Sequence, residues 1–317
     1  MSSKTPILVA GAVPVFQEVL KEMLSGWGYD VIHSEEGYDA LSILRNGNGP
    51  RLAILDSKLP GLSGIDVCRR VRAFNRLNYT YLLLLTEAGS IEDLVEAMEG
   101  GADDYVTRPF HSQEFRARLQ VGRRIVGLQE RLMRAHEDLY EQATRDSLTG
   151  LWNRSTMIQI LDNEIARSTR NCTSLAILMA DIDHFKEVND RSGHLAGDTV
   201  LREASHRMNS VLRKYDSMGR FGGEEFLIVI PGCGLDDSLA IAERLREMVA
   251  FQPYAISRGQ LDITCSFGLA WSDCKGSADA NQLLKEADDA LYTAKRNGRN
   301  RVETFCAQAL GLTGKMA

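Results

Sequence analysis

Hydrophobic and polar positions change period twice along this chain. Over residues 5–122, short apolar runs at 7–10, 52–55, 81–85 and 105–106 alternate with stretches of helical period at 15–24, 38–44, 65–73 and 91–98. Strand and helix in turn predict a parallel α/β sheet. From residue 112 to about 144 there is no proline, and the pattern predicts one long helix. Along it Val121, Leu128, Ala135 and Gln142 recur every seven residues, interleaved with Ile125, Leu132 and Leu139. Such a seam suits a parallel coiled coil; a single amphipathic helix lying on its own domain would carry the same stripe. Gly122 and Gly127, each weakening a helix by about 1 kcal/mol relative to alanine, are expected to mark a flexible joint. Gln142, polar on the seam, is expected to help set register.

Past residue 146 the pattern mixes strands and helices without strict alternation. Residues 175–183 form a continuous apolar run that ends in two acids, Asp181 and Asp183. This suits a strand covered on both faces, with Asp181 at its carboxyl end, where sheet-based sites gather ligand groups. Strands are also predicted at 217–221 and 226–230, flanking Arg220-Phe221-Gly222-Gly223-Glu224-Glu225-Phe226. Adjacent glycines tolerate the positive φ of a two-residue hairpin turn, and they let backbone amides approach a phosphate. A hairpin with a solvated acidic tip is the plain alternative. Helices are predicted from about Ala196 and up to Lys295.

Several further segments carry a family resemblance. They are Asp146-Ser147-Leu148-Thr149-Gly150-Leu151-Trp152-Asn153-Arg154, Phe185-Lys186-Glu187-Val188-Asn189-Asp190, Gly193-His194-Leu195-Ala196-Gly197-Asp198 and Arg296-Asn297-Gly298-Arg299-Asn300. With the hairpin, they make residues 146–305 resemble a GGDEF domain, the catalytic module of diguanylate cyclases, in its GGEEF variant. The resemblance implies an α+β fold like that of nucleotidyl cyclases, with a ferredoxin-like palm. It implies condensation of two GTP molecules into cyclic di-GMP, with Mg²⁺ or Mn²⁺ held by Asp181, the Ile182 carbonyl and Glu224. Glu224, Glu225 and Lys186 would be catalytic. Lys186, Lys295, Arg299, Gly222 and Gly223 would bind the phosphates, and Asn189, Asp198 and His194 the rest of the nucleotide. Arg213-Lys214-Tyr215-Asp216, nine residues before Gly222, resembles the family's inhibitory product site, with Arg244 as its second arginine. Because one such domain holds one GTP, a homodimer is implied.

The first part, residues 1–122, resembles a response-regulator receiver domain, a doubly wound parallel sheet. The matching segments are Leu55-Asp56-Ser57-Lys58-Leu59-Pro60-Gly61 and Gly101-Ala102-Asp103-Asp104-Tyr105-Val106-Thr107-Arg108-Pro109-Phe110. Asp56 falls at the phosphoacceptor position, and Thr86, Tyr105 and Arg108 at the switch positions. Gly11 and Ala12 stand where the family has a metal-holding acidic pair, and Arg108 where it has lysine. Phosphoryl transfer to Asp56 needs divalent charge beside its oxygens, so ordinary phosphorylation is not expected. Without neighbouring acids Asp56 is placed to pair with Arg108, and the domain to act as a dimerisation platform or a docking surface for a sensor kinase or other signalling protein. The helical connector spans 112–145 and overlaps the receiver's last helix; 306–317 is a tail.

Composition narrows the partners. At 317 residues with 44% hydrophobic content, the chain can fill two cores. No apolar stretch approaches the ~18 residues of a membrane span, and the amino-terminus has no signal pattern, so a cytoplasmic location is expected. A net charge of −6 argues against general nucleic-acid binding. Six scattered cysteines, with no Cys-x-x-Cys, are expected to be reduced thiols. The runner-up function is a non-catalytic cyclic di-GMP receptor built on Arg213, Asp216 and Arg244.

Overall fold

A computed structural model describes residues 4–11, 14–74, 79–87, 91–257, 259–273 and 279–305; of residues 14–16 and 91–94 it describes the backbone alone. Ala12, Cys274, Cys306 and the predicted tail at 306–317 lie outside the described residues. Two compact units emerge, residues 1–137 and 138–317.

In the first unit, β1 (Thr5–Ala10), α1 (Pro14–Gly26), β2 (Tyr29–Ser34), α2 (Gly37–Arg45), β3 (Leu52–Asp56), α3 (Gly64–Phe74), β4 (Tyr81–Glu87), α4 (Ile91–Glu99), β5 (Asp104–Arg108) and α5 (Ser112–Thr144) follow one another. The sheet order is β2-β1-β3-β4-β5, every pairing parallel. Period-two alternation sends Ile7 and Val9 to one core, with Leu20, Leu24, Phe115 and Leu119. Leu8 and Ala10 go to the opposite core, with Leu41, Leu44, Val67 and Val71. Burial on both faces is why these strands read as unbroken apolar runs. The edge strand β2 is half-buried and carries Asp30 and His33, so the sequence pattern did not reveal it.

Helix α5 runs unbroken for 33 residues, about 50 Å at 1.5 Å per residue. Its first half buries Phe115, Leu119, Gly122 and Val126. Gly122 is not the joint expected from propensity: a Cβ there would lie 2.4 Å from the Tyr81 ring, so the missing side chain permits close packing on β4. Farther along, Leu128, Leu132 and Leu139 are exposed, Leu132 at 64%.

The second unit comprises α6 (Arg154–Asn171), β6 (Leu175–Ile182), α7 (Phe185–Ser192), α8 (His194–Val211), β7 (Ser217–Arg220), β8 (Glu225–Pro231), α9 (Leu235–Ala250), β9 (Tyr254–Ile256), β10 (Gly259–Leu261), β11 (Cys265–Ser272), α10 (Ala280–Arg296) and β12 (Val302–Thr304). Its main sheet is ordered β12-β11-β6-β8-β7, with β6 antiparallel to both neighbours. Ala176, Leu178, Ala180 and Ile182 pack beneath α8 and α9 residues such as Val200 and Leu245. Leu175, Ile177 and Met179 pack with α6 and α10 residues such as Leu161 and Leu291. Asn153 caps α6, its side chain accepting from Thr156 N at 3.0 Å. Cys68, Cys233 and Cys265 are free and buried. Cys172, at the carboxyl end of α6, is disulfide-bonded, which corrects the expectation of six reduced thiols. Among the described residues no helix is long and apolar enough to cross a membrane.

Candidate active site

The central strand β6 and the β7–β8 hairpin bring acids together. Asp181 stands opposite Glu225 in the antiparallel register, and the Ile182 N–H donates to the Glu224 carbonyl at 3.3 Å. Asp181 is 5% exposed, and Lys295 Nζ from the last turn of α10 lies 2.8 Å from its Oδ2. Burial raises the Asp181 pKa, with Lys295 opposing and the fields of Glu225 and Asp183 reinforcing. Glu224 is raised too, by burial and then by the Asp181 charge, against Lys295. Asp181 raising Glu224, and Glu225 raising both, mark a site with surplus negative charge. Among the described residues no cluster of three or more His, Cys, Asp or Glu side chains is set to hold a metal. Two carboxylates and one backbone carbonyl, all hard oxygens, nevertheless suit an ion that keeps waters and takes substrate phosphates, as Mg²⁺ does. Lys295 already brings one positive charge to this point.

The turn itself departs from expectation. It occupies four residues between β7 and β8, and neither Gly222 nor Gly223 has a positive φ. It closes through Phe221 N and Gly222 N, which donate to the Glu225 carbonyl at 2.8 and 3.2 Å. A Cβ at Gly222 would sit 2.2 Å from Glu225 Oε2, the end of a side chain that can swing aside, and Gly223 faces open space. The sequence reading missed a brace on this turn. Arg220 donates twice to the Gly223 carbonyl, at 3.1 and 2.6 Å, and reaches both Asp146 oxygens at 3.3 and 3.2 Å. Asp146 also accepts from Thr149 N and Oγ1 at 2.9 and 2.7 Å. Its pKa is lowered because these bonds and Arg220 outweigh the burial that would raise it. The signal was an arginine beside the glycine pair and an acid opening the domain.

Around this centre lie the other candidates. Lys186 is exposed on the first turn of α7. Gly197, in the first turn of α8, lets the two helices close, because a Cβ there would meet Asn189 Oδ1 at 2.1 Å. His194 opens α8 and is exposed, and Asp198 is half-buried one turn on. Arg299 follows α10 with φ +62°, and its N–H donates to the Ala294 carbonyl at 3.0 Å. In the α8–β7 turn, Asp216 Oδ2 accepts from Arg213 N at 2.8 Å while its Oδ1 is buried without a partner. Arg244 reaches across from α9 to donate to the Val211 carbonyl at 3.3 Å, close to this turn.

In the first unit Asp56 ends β3 and is 5% exposed. Arg108 Nη2 lies 2.9 Å from its Oδ2, and Lys58 N donates to its Oδ1 at 3.0 Å. Gly11 ends the neighbouring β1 segment and brings no carboxylate. Thr86 Oγ1 lies 3.5 Å from Thr107 Oγ1, and Tyr105 lies half-buried beside the Arg118 guanidinium.

Comparison with known proteins fits both units. The family model described as "Diguanylate cyclase, GGDEF domain" matches residues 143–301, and that of the response regulator receiver domain matches 7–120. The response regulator PleD of Caulobacter vibrioides is 35% identical over 254 residues, covering 79% of this chain and 56% of that protein. The diguanylate cyclase DgcP of Pseudomonas aeruginosa is 40% identical over 197 residues, 61% of this chain and 29% of that one. The chain thus spans about half or less of the length of these curated relatives. The crystal structure of the coiled coil and GGDEF domain of DgcB from Caulobacter crescentus, in complex with c-di-GMP, superposes with a TM-score of 0.54 at 32% identity. It covers 60% of this chain and 98% of that one. Sequence, sheet order and neighbours agree: the chain belongs to the GGDEF diguanylate cyclase family, with a response-regulator receiver domain preceding the GGDEF domain.

Proposed function

We propose that this chain is a diguanylate cyclase that condenses two GTP molecules into cyclic di-GMP and releases two pyrophosphates. The observation that carries this reading is the meeting of Asp181, near the end of β6, with Glu224 in the β7–β8 turn, where burial and then the Asp181 and Glu225 charges raise the Glu224 pKa beside Lys295. Asp181, Glu224 and the Ile182 carbonyl would hold Mg²⁺ or Mn²⁺, which supplies positive charge to the triphosphate and lowers the pKa of the attacking 3′-hydroxyl. Glu224, with Glu225 beside it, is the acceptor for that proton. Lys186 steadies charge on the α-phosphate, and Lys295 exchanges its Asp181 contact for the terminal phosphates together with Arg299. Gly222 and Gly223 line the phosphate path, with the Gly223 amide toward the phosphates because the Gly222 N–H is already given to the Glu225 carbonyl. Asp198 accepts from guanine N1–H and its exocyclic amine, Asn189 bonds the base edge, and exposed His194 flanks it.

Each chain holds one GTP, so two copies must face each other. The exposed seam of Leu128, Leu132 and Leu139 on α5 supports a parallel homodimer that keeps two catalytic domains at high effective concentration. Asp216 accepts from the Arg213 N–H, and Arg244 donates to the Val211 carbonyl just before this turn; this grouping supports feedback binding of cyclic di-GMP. The same cluster would serve the second reading, a receptor without turnover. Arg108 already fills the charge position beside Asp56, which supports a receiver that does not take a phosphoryl group.

Incubating the full chain with GTP and Mg²⁺ and separating the nucleotides tests the reading. Cyclic di-GMP with two equivalents of pyrophosphate is expected. Tight cyclic di-GMP binding without any turnover would replace it with the receptor. An unchanged progress-curve plateau in Arg213→Ala would remove the feedback site alone.

A further inference from the structure

Asp183 lies just beyond β6, two residues past Asp181, and is 4% exposed. Among the described residues no lysine, arginine or histidine forms an ion pair with it. Its charge is met by three hydrogen bonds instead. Ser266 Oγ donates to Oδ1 at 2.7 Å, and Thr264 Oγ1 and the Asn300 backbone N–H donate to Oδ2 at 2.7 and 3.0 Å.

The third donor is the informative one, because Asn300 follows Arg299. Gly298, Arg299 and Asn300 have φ values of +112°, +62° and +47°. Glycine and asparagine visit that region readily, whereas arginine does so only where its surroundings over-determine it. The turn is over-determined here. Arg299 N donates to the Ala294 carbonyl at 3.0 Å, Arg246 Nη1 donates to Asn300 Oδ1 at 3.1 Å, and Phe267 N donates to the Arg301 carbonyl at 2.9 Å. Of these ties, that to Asp183 alone runs to the strand carrying Asp181.

We propose that Asp183 is a positioning residue that locks the backbone of the 298–300 turn to the end of β6, and so presents Arg299 to the terminal phosphates of GTP at a fixed distance from the Asp181–Glu224 centre. The inference rests on the cyclase reading above. Asp183 touches no substrate; it acts through the Asn300 N–H. A loosened turn would weaken the grip on the outer phosphates and leave recognition of the base and α-phosphate intact.

Binding without turnover tests this. The full chain is titrated with the slowly reacting analogue GTPαS and, separately, with GMP, which lacks the outer phosphates. Loss of a buried charge-assisted bond is expected to weaken GTPαS binding about tenfold or more in Asp183→Ala, with GMP binding changed less than about twofold. Asp183→Asn is expected to recover most of the loss, because its carbonyl still accepts from Asn300 N–H and the Ser266 hydroxyl can turn to accept from the amide. Equal losses for both nucleotides, or no loss for GTPαS, overturn the proposal and leave Asp183 a purely structural group. Should Asp183→Ala fail to fold, Asn300→Gly removes the Arg246 tie while keeping the N–H. It must then show a smaller loss, about threefold, again for GTPαS alone; equal changes overturn the proposal. A wild-type chain that binds both nucleotides equally would sink the phosphate grip itself, and with it the cyclase reading. If the wild type discriminates and Asp183→Ala discriminates as well, only the positioning role falls.

Discussion

Both sheets end a central strand in a buried carboxylate with a cation beside it: Asp56 with Arg108 at 2.9 Å and Asp181 with Lys295 at 2.8 Å. Taken alone, the two pairs are nearly interchangeable. Their surroundings separate them. Glu225 and Asp183 press negative charge on Asp181, and Asp181 and Glu225 press it on Glu224, whereas at Asp56 the neighbouring strand β1 is followed by Gly11. One lysine cannot balance several acids, so that centre keeps a demand for more positive charge. Arg108 is paired with Asp56, which is the basis of the proposal that this receiver site does not take a phosphoryl group. An ion pair at a strand end is therefore not the mark of a working site; the uncompensated charge around it is.

The largest expected effect breaks the surplus directly. Glu224→Gln or Asp181→Asn should lower cyclic di-GMP formation by about 10²–10³-fold or more. The same changes carry a stability signature. Folded-state pKa values of both acids are raised, so their contribution to stability is fully present below the unfolded carboxylate range and is lost as pH rises through the folded values. At neutral pH without metal, Glu224→Gln should therefore melt higher than wild type. A lower melting temperature there would contradict the account of a crowded acidic centre.

Next in size is the seam. Leu132 is 64% exposed, so Leu132→Glu should leave each unit's stability within about 0.5 kcal/mol. It should cut activity about tenfold or more at low protein concentration, with recovery at high concentration. Sedimentation at matched concentrations checks whether activity follows the dimer.

The brace at the catalytic turn comes third. Asp146→Asn weakens the Arg220 link, and its stability cost at pH 7 should be about 1 kcal/mol. Because the Asp146 pKa is lowered in the folded chain, that stabilisation is present above the unfolded value and lost as pH falls through the folded one. The gap between variant and wild-type melting temperatures should close in acid.

Smallest is the receiver pair. Asp56→Asn should alter cyclase activity less than about threefold, under ~1 kcal/mol in barrier, and an acyl-phosphate donor should leave the wild type unchanged. A phosphodonor response that Asp56→Asn abolishes would reopen the receiver site and collapse the contrast drawn here.

What the sequence made legible follows from burial. Strands β1, β3, β4, β6 and β8 are covered on both faces and announce themselves as apolar runs. The half-buried edge strand β2 does not. At the turn, adjacent glycines signalled positive φ, but neither adopts it, and the turn closes through the Phe221 and Gly222 N–H groups donating to the Glu225 carbonyl. Asp183 and Asn300 stand 117 positions apart, and their pairing depends on how α10 returns to the sheet, which no local pattern records. Likewise the Lys295 contact with Asp181 is a product of packing between α10 and β6.

Position 197 carries one last consequence. A single methyl there would occupy space now held by the Asn189 amide oxygen. If Asn189 bonds the guanine edge as proposed above, replacing that glycine should displace the amide and blur discrimination between purines.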